Sequence, residues 1–114
     1  MVHILSEQNS IFNQFVAELR DITIQKDSMR FRRNLERMGE IISYEISKTL
    51  EYQKKETTTP LGIAETSHLV SQPVIATILR AGLPMHIGVL NYFDKAQNAF
   101  ISAYRRHHKD NTFD

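Results

Sequence analysis

The chain has 114 residues, of which 41% are hydrophobic and 24% charged, and its formal net charge is +1, values expected of one globular domain or part of one. So small a charge gives no global electrostatic case for binding nucleic acid or an anionic membrane. The lack of cysteine removes disulfides, thiolate metal sites and cysteine nucleophiles. The opening MVHILSEQNS has no basic segment followed by a long apolar run, so no secretory signal is expected. No apolar run approaches the ~20 residues that span a bilayer, and the expected compartment is the cytoplasm.

The first helix is predicted over about Ser10 to Arg20. Ile11, Phe12, Phe15, Val16 and Leu19 fall on one face, and Asn9 or Ser10 can cap it. Asp21 to Asp27 reads as a connection. A long second helix is predicted over about Ser28 to Tyr52, with Phe31, Leu35, Met38, Ile42 and Ile46 forming an apolar stripe that Ile41 and Leu50 widen. Arg32 and Glu36 lie one turn apart on its polar side. The stretch KKETTTPLGIAETSHLV then changes character. Its threonines favour extended structure and Pro60-Leu61-Gly62 is turn chemistry, so a projecting hairpin is predicted.

Gln72-Pro73 introduces a strand over Val74 to Leu79, apolar at consecutive positions as in a strand covered on both faces. A helix follows over Leu83 to Phe93, with Leu83, Ile87 and Leu90 on one side and Pro84 in its first turn. A second strand is expected over about Asn98 to Tyr104. Strand, helix and strand make a βαβ unit, which requires parallel strands with a right-handed crossover. The expected layout is one domain over residues 1–114, with helices over about 10–52, a hairpin arm over about 54–70 and a βαβ unit over about 73–105. Two core strands leave both sheet edges unpaired. The chain therefore reads as the N-terminal portion of a larger α/β fold.

The candidate site is Arg80-Ala81-Gly82, where the first βαβ strand hands over to its helix. The carboxyl edge of an open parallel sheet is where such folds bind ligands. A helix N-terminus offers N–H groups to phosphate. Arginine adds a bidentate fork, and glycine permits a sharp turn or close approach. The alternative is an arginine reaching solvent at a strand end, with glycine serving only the turn. Tyr104-Arg105-Arg106 ends the next strand on the same sheet edge, against the plainer reading of a solvated basic terminus. Adjacent His107 and His108 point to opposite faces of an extended chain, and no metal site is expected from them. His3, His68 and His86 read as structural or solvated. Arg30-Phe31-Arg32-Arg33 reads as the solvated face of a helix, and there is no Walker loop or G-x-G-x-x-G.

ILRAGLPM resembles the Ile-Leu-Arg-Ala-Gly-Leu-Gly-Met signature of uracil phosphoribosyltransferases. In the same order, RFRRNLERMGEIISYE resembles that family's early helix, TPLG its arm tip and ISAYR its strand ending in Tyr-Arg. The resemblance runs from about Phe12 to Arg105. It implies the first part of a type I phosphoribosyltransferase fold. It implies transfer of ribose phosphate from phosphoribosyl pyrophosphate to uracil, giving UMP and pyrophosphate in pyrimidine salvage, with Mg2+ on the diphosphate. Arg80, Ala81 and Gly82 would form the pyrophosphate loop, and Arg105 would be the second arginine on phosphoribosyl pyrophosphate. A homodimer or higher homo-oligomer built partly by the arm is also implied.

Two departures stand out. Pro84 replaces the family's usual glycine, and Arg106 to Lys109 is basic where the family is typically acidic. The family's acidic pair with a Thr-Gly-rich ribose-phosphate loop, and its uracil-reading segment, do not occur among the 114 residues. The chain alone is therefore expected to be incomplete as an enzyme. The alternative class is a non-catalytic fragment or oligomerisation module that keeps half of a phosphate site.

Overall fold

The computed structural model describes residues 2–104, an α/β arrangement with three α-helices and two two-stranded sheets among those residues. Helix α1 covers Ile11–Arg20. The Ser10 side chain accepts a hydrogen bond from the Phe12 N–H at 3.2 Å, which satisfies one free donor of the first turn. A short 3-10 turn, Ile24–Lys26, leads to Asp27. The Asp27 carboxylate accepts from the Arg30 N–H at 3.1 Å and caps helix α2, Ser28–Ser47.

Helix α2 ends a turn earlier than its periodicity predicts. The Ser47 and Thr49 hydroxyls donate back to Tyr44 O at 2.6 Å and Ile46 O at 2.7 Å, and the Tyr52 hydroxyl donates to Ser47 O at 2.7 Å. These bonds take up carbonyls that another turn would have used, so Tyr52 begins a strand instead.

The packing line on α2 also differs from the apolar stripe. Leu35, Met38, Ile41 and Ile42 of that stripe are half-buried, but the buried residues of α2 are Asn34, Gly39 and Ser43, while Phe31 and Ile46 are exposed. Against α1, Asn34 donates to Glu18 Oε1 at 3.0 Å and Arg30 pairs with the same oxygen at 3.1 Å. Against α3 the contact is made through backbone. A Cβ on Gly39 would stand 2.5 Å from Met85 O, and one on Gly88 would overlap Glu36 O. The exposed ion pair on α2 joins Arg33, rather than Arg32, to Glu36 at 3.1 Å.

Strands β1, Tyr52–Thr59, and β2, Gly62–Leu69, form an antiparallel hairpin paired from Tyr52↔Leu69 to Thr59↔Gly62. Gly62 takes a φ of 133° at the turn, a region open to glycine. Leu69 at the base of the arm packs on the core, and beyond it the two strands contact only each other. The molecule measures 68 × 30 × 30 Å.

Strand β3, Val74–Leu79, and strand β4, Gln97–Ser102, are parallel from Val74↔Gln97 to Leu79↔Ser102, with helix α3, Leu83–Tyr92, between them in sequence. Ile75, Phe93 and Ala96 form the buried cluster, with Leu50, Leu69, Val89 and Leu90 around it. Two expectations fail here. Strand β3 is covered on one face only: Ile75 and Thr77 are buried, while Val74 and Ile78 are exposed. Helix α3 turns His86, Val89, Leu90 and Phe93 inward and leaves Leu83 and Ile87 exposed. The helix is apolar almost all round, so periodicity could not choose a face. Gly88 chooses it, because only that position lets α3 settle on the α2 backbone.

Candidate functional site

Strand β3 stops at Leu79 and α3 starts at Leu83, so Arg80, Ala81 and Gly82 alone make the corner. The Leu79–Arg80 peptide bond is cis. Arg80 and Ala81 are exposed, and among the described residues the Arg80 guanidinium has no ion-pair partner. Gly82 has φ −77°, so it is not there for a left-handed backbone. It is there for contact: a Cβ would lie 2.8 Å from both Ile78 O and Thr77 Cγ2. The close approach is to β3 itself.

The helix N-terminus is less open than a bare N-terminus. The Gly82 N–H donates to Ile78 O at 3.2 Å and the Leu83 N–H to Arg80 O at 3.1 Å, and Pro84 has no N–H. What the corner presents to an anion is therefore chiefly the Arg80 side chain, backed by the α3 dipole. Pro84 lies within the first turn, where its ring is tolerated.

Beneath the corner lies a residue pair that periodicity did not single out. His86 Nδ1 and the Thr77 hydroxyl share a hydrogen bond, both residues being buried. The His86 ring lies 4.9 Å from the Phe100 ring of β4. In the sequence His86 has no polar neighbour at helical spacing to mark it. Only the fold of α3 onto β3 brings Thr77 within reach.

The parallel register ends with Leu79 opposite Ser102, so β3 and β4 leave the sheet on the same side. Tyr104 continues from β4 and is 87% exposed. Arg105, the second arginine of the candidate site, lies outside the described residues, as do Arg106, His107 and His108. A cavity of about 650 Å3 lies elsewhere, between the N-terminal segment and α1 and α2, lined by Ile4, Phe12, Ile42 and Ile46 among others and by none of the corner residues. No helix among the described residues is long and apolar enough to cross a membrane. No group of three His, Cys, Asp or Glu side chains among them could hold a metal ion.

Comparison with known proteins extends the corner to a family. A uracil phosphoribosyltransferase of Porphyromonas gingivalis is 56% identical over 110 residues, 96% of this chain and 51% of the relative. One from Methanococcus vannielii is 35% identical over 105 residues, 89% of this chain and 44% of the relative. A solved structure of an Aquifex aeolicus protein aligns over 99% of this chain and 52% of its own with a TM-score of 0.74; at 21% identity that likeness concerns the fold alone. The chain thus spans about half the length of the curated relatives it matches. The family model for uracil phosphoribosyltransferase matches residues 6–113, nearly the whole sequence, and the chain belongs to that family.

Proposed function

We propose that this chain supplies the diphosphate-binding part of a uracil phosphoribosyltransferase, as the first portion of a type I phosphoribosyltransferase domain. In the whole enzyme, ribose phosphate passes from phosphoribosyl pyrophosphate to uracil, giving UMP and pyrophosphate. The observation that carries the reading is Arg80: an exposed guanidinium without an ion-pair partner among the described residues, at the carboxyl end of a parallel strand and beside a helix N-terminus. A planar fork fixed there can neutralise diphosphate oxygens as charge develops on the leaving group, the kind of preorganised stabilisation that lowers a transition state. Ala81 and Gly82 complete the loop, and Arg105 is assigned the second contact to phosphoribosyl pyrophosphate.

Magnesium enters with the substrate in this reading. The corner offers a cation and no carboxylate, so it fits the diphosphate and would leave the ion to the substrate. Its role is to offset charge on the leaving group. A homodimer is assigned from the arm, whose strands contact only each other beyond the base. The cytoplasm is the assigned compartment, in keeping with a cysteine-free chain.

The test has two arms. Magnesium pyrophosphate titrated into the 114-residue chain should bind, and Arg80→Ala should weaken that binding; no binding by the parent contradicts the reading. Uracil and phosphoribosyl pyrophosphate should give no UMP with this chain alone. Turnover should appear when these residues replace the matching part of the Porphyromonas gingivalis relative.

A further inference from the structure

We propose that His86 is a positioning residue for the anion-binding corner, acting through Thr77; the inference rests on the reading of that corner as a diphosphate site. His86 sits in the second turn of α3 and is 5% exposed, and Thr77 on β3 is 8% exposed. The imidazole Nδ1 and the Thr77 hydroxyl share a hydrogen bond. A β-branched side chain is stiff at χ1, so fixing its hydroxyl also fixes its methyl. That methyl, Cγ2, lies 2.8 Å from where a Cβ on Gly82 would stand. One threonine therefore ties down the helix with one branch and floors the corner with the other.

Two backbone bonds complete the clamp. The Gly82 N–H donates to Ile78 O at 3.2 Å, and the His86 N–H donates to Gly82 O at 2.9 Å. Arg80 lies between these anchors, in the three-residue corner that joins β3 to α3. The ring also meets that of Phe100 on β4, centroids 4.9 Å apart and tilted by 43°, so one imidazole touches both strands of the sheet.

His86 Nε2 is buried and has no hydrogen-bond partner among the described residues. A buried ring nitrogen left unpaired disfavours folding, and a phenyl ring would fill the same space without that cost. What the imidazole adds over phenyl is the bond to Thr77. Its effect is thus to hold the guanidinium-bearing loop at one position and so limit the ordering needed when an anion binds.

Calorimetric titration of magnesium pyrophosphate into the 114-residue chain tests this. His86→Phe and Thr77→Val should each weaken binding by about tenfold, the equivalent of one buried hydrogen bond. The double variant should bind no more weakly than either single variant, because both remove the same bond. His86→Asn, whose amide can reach the Nδ1 position, should bind within about threefold of the parent. Additive losses, or no rescue by Asn, overturn the proposal. If the Phe variant fails to fold, Thr77→Val, which keeps the shape of the side chain, decides alone. Parent-like binding by Thr77→Val, with Arg80→Ala weakened, overturns the positioning role and leaves the diphosphate reading standing. Parent-like binding by Arg80→Ala, or no binding by the parent, overturns both.

Discussion

The α2/α3 interface and the hairpin arm are built in opposite ways. Between α2 and α3, Gly39 and Gly88 bring the backbones together, and the buried Ser43 hydroxyl donates to Gly39 O at 2.8 Å. The arm has a full antiparallel ladder and a Thr57–Thr66 hydroxyl bond of 2.6 Å, but beyond its base its strands contact no other element. Leu61 at its tip is fully exposed, and Ile63 is also exposed. A lone two-stranded hairpin is marginal in water. Stability is therefore housed in the helical layer, and the arm adds exposed surface to it. Changes in the first region should unfold the chain, and changes in the second should alter what the chain contacts.

The largest effect is expected at Gly88. Alanine would ordinarily gain up to about 1 kcal/mol in a helix, but here its Cβ overlaps a backbone carbonyl that no rotamer change can relieve. The clash wins, and Gly88→Ala should lose about 2–4 kcal/mol of stability in urea unfolding. An unchanged midpoint would break the comparison. Next comes Asn34, which is 1% exposed and joins Glu18 to Arg37 across α1 and α2. Asn34→Ala removes its hydrogen bonds to the half-buried Glu18 carboxylate and the exposed Arg37 guanidinium and should cost about 1–3 kcal/mol.

The same cluster sets an acid limit. The Asn34 amide, and then Arg30, hold the Glu18 carboxyl below its ordinary range. A depressed carboxylate contributes stability that is present above its unfolded pKa and lost as pH falls through the folded one. Thermal melts between neutral and acid pH should show that loss, and Glu18→Gln should remove its share of the pH dependence. Asp21, held low by the Ile24 and Thr23 N–H groups, loses its share over a similar window and remains in the variant. The smallest effect is expected on the arm. Leu61→Ser should change stability by less than about 0.5 kcal/mol. Sedimentation should show weaker self-association, and a loss of folding instead would place the arm in the core.

The same contrast explains what the sequence made legible. Caps and breakers act locally, so Ser10, Pro73 and the Arg80–Gly82 corner place the start of α1 and both ends of β3, whereas the Asp27 cap of α2 lies in a stretch that reads only as a connection. The arm was also legible, because Thr-rich strands around a Pro-Leu-Gly turn need no distant partner. The missed features depend on approach. The inner face of α3 is set by Gly88 meeting the Glu36 backbone, 52 residues away in sequence (88 less 36). The Thr77–His86 pair exists only once α3 folds over β3. The exposed second face of β3 likewise depends on what covers the sheet, which apolar residues alone cannot tell. At the corner, Arg80 stands in the sequence as a charge interrupting an apolar run, and Gly82 packs closely on the strand beneath it.

The most direct test of the central claim, that Arg80 is held for diphosphate chemistry, is kcat/KM together with Tm for Arg80→Ala. The background should be the enzyme in which these 114 residues replace the matching part of the Porphyromonas gingivalis relative. An exposed side chain without an ion-pair partner among the described residues should leave Tm nearly unchanged, within about 0.5 kcal/mol of stability. Loss of a bidentate contact to the leaving group should lower kcat/KM by the equivalent of about 2–4 kcal/mol. Lysine should recover only part of it, since an ammonium lacks the planar fork. An Arg80→Ala enzyme that folds normally and turns over like its parent would contradict the account, and one that unfolds would make Arg80 a structural residue.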